Sequence, residues 1–471
     1  MQSCYPGSAR TFNKTASCVK VGNSSHPKLL PADHRWICDA SWNLSDVKDF
    51  NVAGNYPELR IIHVTRADKI AGDLTENVLK FAKALATQLK RHGLQTQLFK
   101  GNRGNKPRLA FVILPDTDAA IYSDIKWWGD CNLGIATIFI CPSAVANTCS
   151  GILENLSLRA NFKLGGTNHI IGDVEEPLEL IESIRNDSLM IVGADVSHPG
   201  KGLDPECPSM AGIVASFNHK FCHFATSARL QANNEEFISD LGGMVKERLQ
   251  LYQEKNAGEL PLNILFYRDG VSESQFGMVL TQELPQIDKA CKKFTKKQGK
   301  PDIRITLLVV TKRHHTRFFP IKSNKSTKNI DGGLMVDKDI TNQNQMSFFL
   351  QSHDSPLGIA RSAHYTVIAN QCELTLGQLQ KVTHKLCFVG SRSTKGLFVC
   401  VPPRYADILC DRLRCYMKPA LDRRFRRTQA QIQKSKDPLA HYHSTQQAWI
   451  RPGSKQANPW HSNLNNIMFY L

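Results

Sequence analysis

The chain has 471 residues, 41% of them apolar, a length that suits two or three domains with separate cores. Its formal charge of +17, from 59 Lys and Arg against 42 Asp and Glu, favours a polyanionic partner, nucleic acid before an acidic membrane surface. No apolar run reaches the ~18 residues of a membrane span, QSCYPGSARTFNK after Met1 is polar and carries no secretory signal, and the 14 Cys show neither C-x-x-C pairs nor zinc spacing.

Residues 1–58 are rich in Ser, Asn, Pro and Lys and read as a linker with one or two strands near Arg35 to Asn43. Strands and helices then alternate. RIIHVT (60–65) is a strand, and Asn77 to His92 an amphipathic helix stopped by Gly93. RLAFVILP (108–115) is a strand, Ala119 to Trp128 a short helix, GIATIFIC (134–141) a strand and Ser143 to Ala160 a helix. Such alternation implies a parallel sheet with helices on its faces. A break falls at GDVEEPLE, near 172–180.

The second unit opens with the apolar run LMIVGADVSHP, followed by strands MAGIVASF and FCHFATSAR and a long helix from about Glu235 to Lys255. Then come NILFYRDG, a helix from Glu273, and RITLLVVTK. Strand, strand, strand, helix, strand, helix, strand is the order of the ribonuclease H-like fold. In that fold the first strand is central and lies beside the fourth. Asp195 ends the first and Asp269 the fourth. Paired carboxylates at adjacent strand tips suit a divalent metal that performs phosphoryl chemistry. Basic clusters run from Lys292 to Lys300, Lys312 to Arg317 and Arg412 to Lys436. The apolar settings of Cys222, Cys387, Cys400 and Cys410 favour reduced core thiols in the cytoplasm, with the nucleus as a second compartment.

GADVSHP, FYRDGVSESQF, TKRHHTRFFP and SAHYTVI occur in that order behind IYSDIKWWGD and FKLGG. Together these strings resemble the MID and PIWI domains of eukaryotic Argonaute proteins, over roughly residues 40–471. The resemblance implies an α/β chain in which a Rossmann-like MID domain packs on a ribonuclease H-like PIWI domain. It divides the chain into a linker region (1–58), a MID domain (59–180) and a PIWI domain (181–471). The chain starts after the family's N-terminal and PAZ domains, so the C-terminal half of a longer protein is expected, one that binds a guide but cuts poorly alone.

The family's nuclease centre places its catalytic residues at Asp195, Glu236, Asp269 and Asp407, with Glu235 as the neighbouring candidate for the glutamate. Asp195, Asp269 and Asp407 would hold Mg²⁺ or Mn²⁺. Glu236 would orient water or complete the site as its loop closes. His198, in DVSHP, is expected to be a structural turn residue. The guide's 5′ end is implied to bind Tyr122, Lys126, Arg159, Lys163 and Arg412. Tyr122 would stack on the first base, worth about 1–3 kcal/mol in comparable sites, while the cations would grip the phosphate. Arg159 stands where Lys is usual, and Ile138 where a phosphate-contacting Gln is common. The loop carrying Asp116 and Asp118 would face the first base.

Pro402 and Pro403 suit the first turn of a helix carrying Asp407 and Arg412. Five residues turn a helix by about 500°, leaving those two side chains about 140° apart. One helix could then serve both sites. Arg313, His315 and Arg317 alternate in KRHHTR, so a strand would put them on one face. The resemblance sets them along the guide backbone with His353, Arg361, Arg392 and Lys395. His364 is expected to be structural. The implied activity is RNA-guided cleavage of target RNA, with small guide RNA, complementary target RNA and silencing-complex proteins as partners. The alternatives are a scaffold that holds small RNA without cutting, and an unguided metal nuclease.

Overall fold

The computed structural model describes residues 58–63, 72–94, 107–114, 119–171, 188–200, 207–218, 220–319, 329–355, 358–392, 394–417 and 458–471, with the short pieces 18–20, 29–30, 53 and 97–98. The expected strands at Arg35 to Asn43, the break at 172–180 and the Asp116–Asp118 loop lie outside the described residues.

The first part of the chain contains β1 (Cys18–Lys20), β2 (Leu29–Leu30), β3 (Glu58–His63), α1 (Gly72–Arg91), β4 (Gln97–Leu98) and β5 (Leu109–Ile113). It continues with α2 (Ala119–Trp127), β6 (Ala136–Ile140), α3 (Pro142–Ala146), α4 (Ser150–Lys163) and β7 (Ile170–Ile171). Strands β4, β3, β5 and β6 form a parallel sheet in that order. Alternation within β5 explains its two covers. Leu109, Phe111 and Ile113 pack with Phe81, Leu85 and Leu89 of α1, whereas Ala110 and Val112 face Ile121, Tyr122 and Ile125 of α2. The helix expected from Ser143 to Ala160 is two helices. Asn147 closes α3 by donating to Ser143 O, and the Asn147–Thr148–Cys149 break precedes α4.

The second part contains β8 (Leu189–Ser197), β9 (Ser209–Ser216), β10 (Phe224–Gln231), α5 (Leu241–Lys255), β11 (Asn263–Asp269), α6 (Phe276–Met278), α7 (Leu284–Gln298) and β12 (Arg304–Thr311). It ends with β13 (Leu334–Val336), β14 (Ser347–Gln351), β15 (Ala363–Asn370), α8 (Leu376–Leu386) and α9 (Val401–Tyr416). The sheet order is β1-β13-β14-β15-β12-β11-β8-β9-β10. Within its five-strand part β10-β9-β8-β11-β12, strand β8 is central, parallel to β11 and antiparallel to β9, as the ribonuclease H-like order requires. The helix expected from Glu235 starts later, at Leu241, because Asp240 caps it by accepting from Gly243 N. Glu235 and Glu236 therefore sit on a loop.

Two hydrophobic layers sandwich this sheet, and residue parity decides which layer each side chain joins. Leu189 and Ile191 of β8, Leu265 and Tyr267 of β11, and Leu308 and Val310 of β12 join the core under α8 and α9. Met190, Val192 and Ala194, Ile264 and Phe266, and Ile305, Leu307 and Val309 join the core under α5 and α7. By the same parity Asp195, Asp269 and Lys312 belong to the α9 face, and Arg268 to the opposite one. Gly193 lets α9 come down on that face: a Cβ there would lie 2.1 Å from Pro402 C and O.

Candidate active site and anion pocket

Asp269 ends β11, whereas Asp195, expected at a strand end, lies two residues before the end of β8, where the pairing with β11 stops; Arg268 pairs with Ala194 in the register that sets the two aspartates side by side. Both are nearly buried, at 8% and 4% exposure. Burial first, then the charge of Asp269, push the Asp195 carboxyl up to about 7. Asp269 is raised too, by burial, with Lys312 opposing the shift. Gly270, at φ +83°, makes the turn after Asp269, and a Cβ there would lie 2.8 Å from Asp195 Oδ1. Asp407 approaches from α9. Its Oδ2 accepts from Arg404 Nη1 at 2.5 Å and lies 3.6 Å from Lys312 Nζ.

Among the described residues, no three His, Cys, Asp or Glu side chains are gathered closely enough to hold a metal ion. The expected nest of Asp195, Asp269 and Asp407 is thus not assembled, and the cause is visible. Lys312 Nζ lies 2.5 Å from Asp269 Oδ2, on the side facing Asp407. Burial works against its charge, but Asp269, Asp407 and Asp195 raise the ammonium above its usual range. The donor chemistry nevertheless fits a divalent ion: three hard carboxylates share one face around a stand-in cation.

Glu236 lies on the loop before α5, with Oε2 3.3 Å from His198 Nε2. His198 Nδ1 is 2.8 Å from Ser209 Oγ. His198 is therefore not merely a turn residue, as expected, since it touches the candidate glutamate. Glu235 makes no such contact among the ion pairs of the described residues. A buried clamp holds the loop backbone. Arg268 Nη2 donates to Glu236 O at 2.7 Å, and its Nε to Glu283 Oε2 at 3.0 Å. Glu283 Oε1 accepts from Ile238 N at 2.9 Å. Arg268 and Glu283 are 1% and 0% exposed. Neither was singled out from sequence, although Arg268 occupies the opposite-face position beside Asp269.

Arg412 leaves the other side of α9. Its Nη1 donates to Asp130 Oδ2 at 2.8 Å and its Nη2 to Tyr470 O at 3.1 Å. Tyr416 OH donates to the same Asp130 oxygen at 2.7 Å. Above this pair opens a cavity of about 550 Å³ whose walls include all five predicted 5′-end residues: Tyr122, Lys126, Arg159, Lys163 and Arg412. Arg392 and Arg404 line it as well. Arg392 thus belongs to this pocket rather than only to a guide track, and Arg404 went unnoticed although it is one helical turn from Asp407. Against six cationic side chains the walls offer one carboxylate side chain, Asp411.

Two of these cations are in costly positions. Lys126 and Lys163 are each 2% exposed. Lys126 Nζ donates to Thr137 O and Oγ1 at 2.8 and 2.7 Å, and Lys163 Nζ donates to Phe469 O. Neither makes an ion pair among the described residues. Burial, then Arg412, holds Lys126 well below its usual range; burial, then Lys126, does the same to Lys163. A buried charge without a counter-charge is unfavourable, so the pocket is built for an anion. Tyr122 packs on Phe139 with centroids 4.6 Å apart and faces the cavity, where a base could stack. Ile138 also lines it, as an apolar wall.

The KRHHTR segment is not a strand. Strand β12 ends at Thr311, and 312–319 are irregular. Arg313 and His315 are still exposed, while His314 turns inward, with Nε2 2.6 Å from Ser362 O. Arg317 is half-buried and donates to His314 O and Thr316 O at 3.0 and 2.7 Å. Arg361 and Lys395 are exposed, and His353 packs edge-on to Phe398. Thr311 pairs with His364. Arg313 and Arg361 therefore sit at the same end of the sheet as Asp195 and Asp269. His364 stacks on Phe349 at 4.2 Å, and burial lowers it to about 4.

The sequence pattern of the Piwi domain matches residues 109–418, well over half the chain. The chain belongs to the Argonaute family. It is 32% identical over 446 residues to Protein argonaute 18 of Oryza sativa subsp. japonica, covering 88% of this chain and 39% of that protein. Protein argonaute PNH1 from the same plant is 36% identical over 339 residues, covering 68% and 34%. The chain therefore spans between a third and two fifths of those relatives. The C-terminal lobe of a budding yeast Argonaute superposes with a TM-score of 0.79 at 24% identity, covering 94% of both chains. Kluyveromyces polysporus Argonaute, solved with a guide RNA, gives the same TM-score and identity over 94% of this chain and 56% of that one. The fold is that of an Argonaute MID–PIWI lobe, with a ribonuclease H-like PIWI unit.

Proposed function

We propose that this chain is the cutting half of an RNA-guided endoribonuclease in RNA silencing. It holds the 5′ phosphate of a small guide RNA and cleaves the complementary target. The observation that carries the reading is the double use of α9, with Asp407 turned to the strand-end aspartates and Arg412 to a buried, cation-rich cavity.

In the guide pocket, Lys126, Lys163, Arg159 and Arg412 neutralise the phosphate through charge-assisted hydrogen bonds. Tyr122 supports the first base. Arg313, His315, Arg317, His353, Arg361, Arg392 and Lys395 hold backbone phosphates and fix register, while pairing with the guide selects the target. In the cutting centre Asp195, Asp269 and Asp407 are the residues that would hold Mg²⁺ or Mn²⁺. Bound there, the metal would stabilise charge at the attacking and leaving oxygens. Glu236, steered by His198, accepts a proton from, or orients, the water that attacks in line. The products are 3′-hydroxyl and 5′-phosphate ends. Cytoplasmic silencing-complex proteins would be its partners, with a nuclear role as an extension.

A guide-holding scaffold that recruits partners without cutting is the second reading, and the contact of Lys312 with Asp269 and Asp407 favours it. Target cleavage decides between them. The 471-residue chain is loaded with a 5′-phosphorylated guide, given labelled complementary RNA and Mg²⁺, and the product ends are mapped. A single cut with 3′-hydroxyl and 5′-phosphate ends, lost in Asp195→Ala, supports the enzyme. Guide binding with no cut under single-turnover conditions with the chain in excess, where even poor cutting accumulates, leaves the scaffold.

A further inference from the structure

A cation already stands among the three carboxylates. Lys312 Nζ is 2.5 Å from Asp269 Oδ2 and 3.6 Å from Asp407 Oδ2, with its side chain 27% exposed. The backbone sets this position: Leu308 and Val310 of β12 face the α9 core, and Lys312 continues the same parity one step beyond the strand. Arg404 Nη1 lies 2.5 Å from the same Asp407 oxygen. Oxygens that would have to turn toward a shared metal ion are instead turned toward an ammonium.

We propose that Lys312 is a built-in counter-ion that balances the acidic centre while closing it to metal, and that a divalent cation enters by displacing this ammonium from Asp269 and Asp407. The inference rests on the acidic centre of the proposed function. Lysine suits the role because it is a compact monovalent charge on a flexible stem, able to withdraw toward the open side. A divalent ion offers the same carboxylates twice the charge. The buried Arg268–Glu283 pair on the opposite face stays in place while Lys312 moves. Loss of the ammonium should therefore help metal binding, the reverse of what a residue supporting the metal would do.

The test uses the whole chain and Mn²⁺ alone, with free Mn²⁺ read by electron paramagnetic resonance. Lys312→Gln should bind Mn²⁺ roughly tenfold tighter than wild type, ~1.4 kcal/mol. Lys312→Arg, which keeps the charge, should remain near wild type. Equal or weaker binding by Lys312→Gln overturns the proposal. A second measurement needs no variant. In reductive methylation followed by mass spectrometry, Lys312 should be protected in EDTA and modified faster with Mn²⁺. Unchanged or stronger protection with Mn²⁺ overturns the proposal. Mn²⁺ binding that survives Asp269→Asn would place the ion elsewhere and sink the acidic-centre reading as well. Failure of the Lys312 arms alone leaves that reading standing.

Discussion

Replacing Lys126 with Met tests the guide pocket and separates its binding role from its stability cost. Methionine retains the length and packing of the stem and loses the ammonium. In wild type that group is 2% exposed and gives its hydrogen bonds to Thr137 O and Oγ1. A hydrogen bond to a charged group contributes about 1.5–3 kcal/mol, so loss of one phosphate contact should weaken binding by roughly 10- to 150-fold. Without ligand the balance differs. Two bonds to Thr137 disappear, at about 1.5–3 kcal/mol each for a charged donor, while an ammonium crowded by Arg412 and Lys163 no longer has to be buried, a penalty of several kcal/mol for an ion without a counter-charge. The unliganded variant should therefore unfold at a temperature no lower than wild type. The pH dependence has a definite sign. The pKa of Lys126 is lowered on folding, so the unfolded chain binds more protons between that lowered value and ~10.4, and stability rises with pH across the interval. The Met variant should show a smaller rise. Fluorescence anisotropy with 5′-phosphorylated and 5′-hydroxyl RNA, at two salt concentrations, measures the binding side. The variant should lose most of its preference for phosphate and show a shallower salt dependence. An unchanged preference would refute the assignment of Lys126 to the phosphate.

Other consequences follow from the packing. Gly193→Ala would drive a Cβ to 2.1 Å from the Pro402 carbonyl, so α9 must shift; thermal unfolding should show a loss of at least about 1–3 kcal/mol, with cleavage falling more than guide binding. Glu283→Gln leaves the Arg268 guanidinium buried without a full counter-charge and loosens the Glu236 loop. Chemical denaturation should register a loss of about 3–5 kcal/mol, and an unchanged midpoint would contradict the clamp. In EDTA, the raised Asp195 carboxyl makes the folded chain bind more protons than the unfolded one between pH ~4 and about 7. Metal-free stability should then fall as pH rises through that window, by up to about 1.4 kcal/mol per pH unit from this group. Urea titrations should show that Asp195→Asn removes this part of the slope. Ile138→Gln adds a donor to the cavity wall and should tighten binding of 5′-phosphorylated RNA, measured as above, with the 5′-hydroxyl RNA unaffected.

Much of the acidic centre's geometry was legible because strands alternate. Asp195 and Asp269 keep the parity of Ile191 and Tyr267, and α9 covers that face, so two strings about seventy residues apart had to meet under Asp407. The 140° offset between Asp407 and Arg412 likewise reappears as two sites on opposite sides of one helix. Lys312 could have been placed by the same parity, two residues beyond Val310, had the basic string been followed into the sheet rather than read as a surface strand. The Arg268–Glu283 clamp was not legible. Its partners come from a strand end, a helix and a loop with no common spacing, and an arginine beside an aspartate looks like a surface pair until its burial is known. The start of α5 was misplaced because apolar spacing continues through Phe237 and Ile238, while the cap at Asp240 ends the loop later. The KRHHTR alternation survives as exposed and inward-turned side chains without ladder pairing, since neither neighbour extends beside it.

The most direct test asks whether the guide's 5′ end, seated beside Arg412, sets where the centre around Asp195 cuts. One target is offered to guides whose 5′ ends are displaced by one nucleotide along the complementary sequence. The account predicts one cut per guide, moving by one nucleotide with each displacement and vanishing in Asp195→Ala. A cut that stays in place as the guide moves, or cleavage that persists in Asp195→Ala, would contradict it.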